Sequence, residues 1–430
     1  MKNLLFIAYT FPPVSTGSAP LNLRLMDIFV RNGWRPNVIT TDKAGNMPMD
    51  PSLISRLPEN VEILRIGGTS PRNGRGKRKF RRTPTAGRRR GLRKFLLETM
   101  LQPDRYITWF PWAFTAALDR MDETDADLII TLGPPHSVHL VGMTLSLFSG
   151  KPWVAYFGDL WAMDGCVDWN SLSPVRRGLT PLFEKKVISS ANGIITTTPG
   201  STRYFRETYG RRCPPAHTLW NGVTSRERKA LWNPDAPRYP GREFVITYTG
   251  FFMGKQTPEY FLRGFKLFLE KHPEFPVKFR VAGEFGAFEN LPVDLGIENN
   301  VELLGPVPFG KVRKYQIDSD VLLLLLPPDR GNELKNPSKT VEYLLARRPI
   351  LAVAPPGDLT NLIRTLGAGY TASHDPESIC GAIEEIHDDI SKGRFRILMD
   401  PSELGDEMDM DKGGLEMAAF LSEITAGKTY

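Results

Sequence analysis

Runs of consecutive apolar residues, each ending in a loop of small or polar residues, recur along the chain. Residues 3–10 open with Leu4 to Ala8 in one unbroken run. Such a run predicts a strand buried on both faces rather than an alternating surface strand. A Pro/Gly/Ser loop follows, then a stretch of helical periodicity over residues 20–32, then a second strand at 37–41. Strand, loop, helix and strand in this order begin a doubly wound parallel sheet. The theme returns in strands at 127–132, 153–157 and 193–198, with a helical stretch at 182–190 between the last two.

The pattern breaks after Asn221-Gly222. Residues 223–242 are polar and hold Pro234, Pro237 and Pro240 without sustained periodicity, which predicts a connection between domains. A second series then starts: strand 244–249, helix 258–271, strand 277–282, strand 301–304, helix 308–317 and strand 320–326. Helix 338–346, strand 349–353, a helix near 359–366, a strand near Tyr370 and a helix at 376–390 complete it. The expectation is an α/β protein with two Rossmann-like domains of parallel sheet facing across a cleft. Their spans are 1–222 and 243–410, joined by the linker 223–242. The tail, 411–430, is expected to pack back on the first domain.

A chain of 430 residues suits two domains, and 41% hydrophobic with 24% charged residues is the balance of a globular protein. Cys166, Cys213 and Cys380 are far apart, so neither a disulfide framework nor a zinc knuckle is expected. No apolar run approaches the roughly 20 residues that cross a bilayer. The N-terminal run ends in Phe11-Pro12-Pro13 without a small-x-small cleavage site, so it reads as a first strand and not as a signal peptide. A cytoplasmic location is expected.

The net charge of +7 has a local origin. Twelve Lys and Arg fall between Arg72 and Lys94 with no acid among them, and without them the balance is −5. Gly74, Gly76, Pro84, Gly87 and Gly91 make the first two-thirds of this segment a loop, while Phe95, Leu96, Leu97 and Met100 continue it as an amphipathic helix. With Phe80 as its single aromatic, it lacks the stacking groups of a single-strand nucleic-acid binder. It reads as a surface for anionic lipid at the inner face of a membrane, or as a solvated loop.

In open parallel sheets, ligands sit beyond the carboxyl ends of strands, so candidate chemistry is sought there. The first loop, residues 11–19, contains Gly17 and Ser18 and leads into a helix, where amide groups favour phosphate. It lacks GxGxxG, which disfavours a nicotinamide dinucleotide. In the second half Gly250 ends a strand and Lys255 follows. Pro337-Ser338-Lys339-Thr340 opens a helix, which predicts the amides of Ser338, Lys339 and Thr340 facing an anion. A lysine in a first turn opposes the helix dipole and makes sense beside an anionic ligand. Glu342, one turn on, suits ribose hydroxyls.

These stretches together resemble the GT-B glycosyltransferases, of the retaining family 4 type found in bacterial surface polysaccharide and glycolipid synthesis. The residues that carry the resemblance are Phe11-Pro12-Pro13 to Gly17-Ser18, Arg24, and Gly33-Trp34-Arg35-Pro36. They continue with Gly133-Pro134-Pro135-His136-Ser137-Val138-His139, Asp159-Leu160-Trp161, Glu184 and Asn221-Gly222-Val223. Tyr248-Thr249-Gly250, Val281-Ala282-Gly283, Leu304-Gly305-Pro306-Val307 and Pro337-x-Lys339-x-x-Glu342-Tyr343 follow in order. The resemblance implies a nucleoside-diphosphate sugar donor, with Lys255 and Lys339 at the diphosphate, Glu342 at the ribose and the Val307 backbone at the base. It places His139 beside the donor sugar and Gly17-Ser18 over the diphosphate. Members often carry two glutamates eight apart. Here Leu334 stands at the first position, with Glu333 one residue away.

The implied reaction retains configuration, the leaving phosphate oxygen taking the proton of a saccharide or lipid-linked acceptor. It uses no metal and no other cofactor. Asp159 either orients acceptor hydroxyls or caps its own loop. His136 reads as a loop-fixing residue, and Trp109, Trp112 and Trp161 as core or as acceptor-stacking groups. A sugar-nucleotide epimerase of the same fold, a non-catalytic relative and an anionic-surface binder are the other readings.

Overall fold

The first sheet is built from β1 (Lys2–Ala8), β2 (Trp34–Thr41), β3 (Glu62–Ile66), β4 (Leu128–Gly133), β5 (Trp153–Phe157), β6 (Gly193–Thr196) and β7 (Ala216–Thr218). All pairings are parallel, in the order β3-β2-β1-β4-β5-β6-β7. The second comprises β8 (Phe244–Thr249), β9 (Val277–Ala282), β10 (Val301–Gly305), β11 (Val321–Leu325), β12 (Ile350–Val353) and β13 (Gly369–Ala372). Its order is β10-β9-β8-β11-β12-β13, again parallel. The unbroken apolar runs have their cause here. Leu4–Ala8 in β1 and every residue of β11 are buried, because helices cover both faces of each sheet. This computed structural model describes residues 1–427 except 43, 44, 46, 68–99, 234–242, 253, 254, 395 and 399. The basic segment 72–94, the apolar positions Phe95 to Leu97 and the proline-rich part of the linker lie outside the described residues.

Strand order reverses between β1 and β4 in the first sheet and between β8 and β11 in the second. At such a switch, the loops leaving adjacent strands diverge to opposite faces and open a crevice. Four segments thereby become candidates: those after β1 and β4 on one side, and those after β8 and β11 on the other.

Several elements differ from expectation. β3 and β7 were not read from the pattern, nor were the helices α2 (Phe110–Thr124), α3 (Ser137–Ser149) and α5 (Pro199–Tyr209), which follow α1 (Ala19–Arg31) in the first domain. The helix expected at 182–190 is the second half of α4 (Pro174–Ser190), which runs through Pro181. Within the linker, Ser225–Leu231 forms α6 behind a capping box of Thr224 and Glu227.

The chain passes between the sheets twice, and the two passages touch. Val223 N–H donates to the Met408 carbonyl (2.8 Å), and Met410 N–H to that of Val223 (3.1 Å). A Cβ on Gly222 would lie 2.3 Å from Met408 O, so glycine is required for this contact. Arg24 of α1, 4% exposed, bonds both carboxylate oxygens of Glu227 (2.9 and 2.8 Å) and Asn221 Oδ1 (2.7 Å) beside this point. After recrossing, the last helix (Met410–Thr425) lies on α1. Its Met417, Leu421 and Ile424 join Leu25, Ile28 and Phe29 in one core, and Gly414 leaves room for Ile28.

Candidate functional site

The second domain's switch point holds a cation that lacks a carboxylate partner among the described residues. Three helices (α7, Glu259–Lys271; α8, Leu291–Leu295; α9, Phe309–Ile317) precede β11, and helix α10 (Lys339–Ala346) follows it, starting behind Pro337 and Ser338. Lys339 Nζ donates to the Tyr248 hydroxyl (2.8 Å) and lies 4.0 Å from the centroid of that ring. Burial pushes its pKa down, opposed by Tyr343 and Glu342, and among the described residues no carboxylate lies within ion-pair distance. An incompletely neutralised ammonium beside a helix N-terminus attracts an anion.

The backbone around Lys339 is cleared by glycine. A Cβ on Gly250 (φ +133°) would meet Lys339 Nζ at 2.4 Å, and one on Gly283 (φ +154°) would lie 1.8 Å from the Gly250 carbonyl oxygen. Gly283 in turn bridges Gly305 (φ +68°), the turn that leads to Val307. The ends of β8, β9 and β10 thus meet as bare backbone, giving a ligand close access.

One turn beyond Lys339, Glu342 accepts from Gln316 Nε2 of α9 (3.0 Å), and Gln316 also reaches Thr249 Oγ1 (3.4 Å). Burial raises the Glu342 pKa. The Gln316 bond, Arg24 and Lys339 oppose that rise. Tyr343, the next residue, is buried and accepts from Thr249 N–H (3.1 Å), which fixes α10 against β8.

Three of the residues named from the sequence are engaged within the protein. Lys255 does not present a free charge, because its ammonium pairs with Asp329. The Thr340 amide does not face an anion either; it donates to the Pro337 carbonyl (3.0 Å), leaving Ser338 and Lys339 at the helix start. Glu333 and Leu334 make different contacts. The Glu333 carboxylate folds back to accept from Gly331 N–H (2.6 Å), while Leu334 packs against the first domain's core.

From the first domain, Gly17 comes close to this helix start: a Cβ on it would be 3.7 Å from Ser338 Oγ. Ser18 exchanges hydroxyl hydrogen bonds with Thr10 (3.2 Å) and Thr16 (3.0 Å). The start of α3 is already satisfied by a carboxylate, since Asp104 accepts from Ser137 N–H (2.9 Å). An anion is therefore better placed at α10 than at α3.

His136 and His139 sit where β4 turns into α3, both buried. His136 stacks on Trp161 (4.9 Å between centroids, 12° between planes), and burial lowers its pKa to about 4 against the pull of Asp104 and Asp159. Burial, then the neighbouring His136, holds the pKa of His139 well below the usual histidine value. Its Nδ1 is 2.9 Å from Thr131 Oγ1, while Nε2 has no partner among the described residues. A Cβ on Gly133 would lie 2.6 Å from that nitrogen.

Asp159 is not a lone carboxylate. Lys335, just before the α10 entry, reaches from the second domain to Asp164 (2.6 Å) and Asp159 (3.3 Å) of the first. Burial alone would lower the pKa of Lys335, but Asp159 and Asp164 raise it, so the lysine is charged. Around it, Thr198 and Ser201 hydroxyls donate to the Leu334 carbonyl (2.7 and 3.0 Å), and Gly200 N–H donates to Asp358 (2.9 Å). The loop holding Asp159 and Asp164 is held from behind by Glu184, fully buried, which accepts from Ala162 N–H (2.7 Å) and from Tyr204 and Tyr209. Trp109 is core, edge-on to Tyr9 (5.3 Å), whereas Trp112 is exposed. Lys335 and Gln316 carried no local signal, because their partners are remote in sequence.

This architecture defines a class: two Rossmann-like domains in the GT-B arrangement. Solved structures share it along the whole chain. Sucrose-phosphate synthase from Thermosynechococcus elongatus superposes with a TM-score of 0.67 at 14% identity, covering 100% of both chains. Anabaena HepE in complex with UDP and glucose gives 0.63 at 14% identity, covering 98% of this chain and 100% of that one. α,α-Trehalose 6-phosphate synthase from Burkholderia multivorans gives 0.63 at 12%, covering 99% and 98%. No protein-family model matches the chain, and no curated protein matches its sequence.

Proposed function

We propose that the protein is a glycosyltransferase that moves a hexosyl group from a nucleoside-diphosphate sugar to a hydroxyl acceptor with retained configuration. The observation that carries this reading is Lys339, a crevice ammonium without a carboxylate partner among the described residues, at the start of α10 with Glu342 one turn on. That pairing suits a diphosphate beside a ribose. HepE, which shares the fold, has been solved with UDP and with UDP-glucose.

In this reading the C1–O bond to the diphosphate breaks as the acceptor oxygen bonds C1 on the same face. The departing phosphate oxygen takes the acceptor proton. Lys339 and the amides at the start of α10 stabilise the charge that develops on the leaving group, which is the main service a site can offer such a step. We assign that role to these groups and not to a metal. Glu342 orients the ribose, the Val307 backbone meets the base, Gly17 and Ser18 close over the diphosphate, and His139 faces the sugar. Asp159 borders the acceptor side. Lys255, paired to Asp329, contributes at longer range. We place the enzyme in the family 4 type, in surface polysaccharide or glycolipid synthesis. It would work in the cytoplasm, with segment 72–94 touching the anionic inner leaflet. No helix among the described residues is long and apolar enough to cross a membrane.

A thermal-shift screen of UDP, GDP, ADP and dTDP, with their sugars, tests this directly, since a ligand of the folded state raises Tm. One nucleotide is expected to raise it. Lys339→Ala and Glu342→Ala should each weaken that binding by about 1.5–3 kcal/mol, roughly 10- to 150-fold in Kd. Silence from all four nucleotides, or wild-type shifts in both variants, would overturn the reading.

A further inference from the structure

The His139 ring has a tautomer dictated by residues that never meet a substrate. An indole N–H can only donate, and Trp153 Nε1 is 2.9 Å from Thr131 Oγ1. The Thr131 hydroxyl is thus an acceptor toward Trp153. Its own proton has one remaining partner among the described residues, His139 Nδ1, at 2.9 Å. If Nδ1 carried a proton as well, the threonine proton would have no acceptor in a place where all three residues are fully buried. The Nδ1–H form would also leave the Nε2 lone pair unmatched, two buried groups in all, whereas the Nε2–H form leaves only its own N–H without a partner among the described residues. At about 1–3 kcal/mol for each buried group left unmatched, the Nε2–H form prevails.

We propose that Trp153 and Thr131 are positioning residues that fix His139 as its Nε2–H tautomer, making it a neutral hydrogen-bond donor at the end of β4. Nε2 is the atom left without a partner, and it lies against Gly133, the residue that ends β4 at the switch point. Gly133 leaves that side of the ring clear, where a methyl group would stand 2.6 Å from the nitrogen. The donating chain is itself held in place. A Cβ on Gly142 of α3 would come within 2.3 Å of Trp153 Nε1 and 2.5 Å of Thr131 Cγ2, so the indole and the threonine methyl fill the space that glycine vacates. Strand β5 supplies the indole, β4 the hydroxyl and α3 the imidazole. Each comes from a different element, and the order of donation runs from the sheet to the helix. A neutral donor suits an uncharged sugar oxygen, whereas the opposite tautomer would present a lone pair there. The identity of that oxygen rests on the glycosyltransferase reading; the tautomer does not.

The test uses the full chain labelled with 15N-histidine and no ligand. Imidazole nitrogen shifts and long-range proton–nitrogen correlations distinguish the tautomers, and the signal absent from His139→Gln identifies the ring. The expected wild-type result at neutral pH is protonated Nε2 and bare Nδ1. Thr131→Ser should keep that signature. Thr131→Val, nearly isosteric but without the hydroxyl, should shift it toward the Nδ1–H form. Once a donor is known, Thr131→Val should also lower turnover about tenfold, the loss of one oriented hydrogen bond. Protonated Nδ1 in the wild type, or an unchanged signature in Thr131→Val, would overturn the proposal. If Thr131→Val fails to fold, the wild-type spectrum still decides. A protein that shows the expected tautomer yet binds no nucleotide would retire the glycosyltransferase reading and leave the relay standing.

Discussion

Mild acid should destabilise the first domain, and His136 should account for a measurable share. The ring is 8% exposed and stacked on Trp161, and its Nδ1 has no partner among the described residues. Burial lowers its pKa to about 4, whereas in the unfolded chain it titrates near 6.5. Between those values the unfolded state binds more protons than the folded one, so stability rises with pH across that window and is complete above it. Going from pH 7 to pH 5 should therefore cost about 2 kcal/mol through this ring alone. His139, whose pKa burial also holds well below the usual histidine value, adds a loss of the same sign. His136→Phe keeps a flat ring against Trp161 and removes the titration. All eight tryptophans lie at or before position 232, so their fluorescence follows the first domain and the linker in urea melts. Subtracting wild type from variant at the two pH values cancels the carboxylates common to both. The variant should lose about 2 kcal/mol less than wild type on acidification. An equal loss in both proteins would show that His136 is not the buried neutral group described.

Two further substitutions probe the cleft. Gly283→Ala would drive a methyl into the Gly250 carbonyl and should abolish the nucleotide-induced rise in Tm, while Gly296→Ala (φ +71°, with open space around it) should cost only about 1–2 kcal/mol of backbone strain; equal behaviour of the two in melting and nucleotide binding would refute the packed-backbone wall. Lys335→Met should cost about 3–5 kcal/mol by leaving the largely covered Asp164 uncompensated. Asp159→Asn, at a carboxylate 39% exposed, should cost under about 1 kcal/mol, and comparable losses in urea melts would argue against a buried charge cluster between the domains.

Much of the fold was legible because its strands are buried on both faces. β1 and β11 announce themselves as aliphatic runs. β3, only partly covered throughout, and β7, three residues long, are edge strands whose sequences carry no such run. α3 hid behind Pro134-Pro135 and a mixture of Ser, Thr and Gly, and Pro181 disguised the first half of α4. The site was legible where its logic is local: Lys339 and Glu342 share one helical turn. Pairings across 74 residues, for Lys255 and Asp329, or 171, for Lys335 and Asp164, depend on how loops meet after folding, which no local pattern records. The contact at Glu333 is local instead. The backbone amide of Gly331 captures the carboxylate within its own turn.

The helix that closes the first domain's core is the last one in the chain. Met417, Leu421 and Ile424 emerge from the ribosome about 200 residues after β7, a delay of roughly 10–40 s at ordinary rates of synthesis. Throughout that interval Leu25, Ile28 and Phe29 lack their final cover. The nascent first domain therefore spends its early life with an apolar face open to chaperones or to neighbouring chains. Truncations that spare every residue of the cleft but remove this helix should yield insoluble protein, so its contribution belongs to biogenesis as much as to the finished molecule.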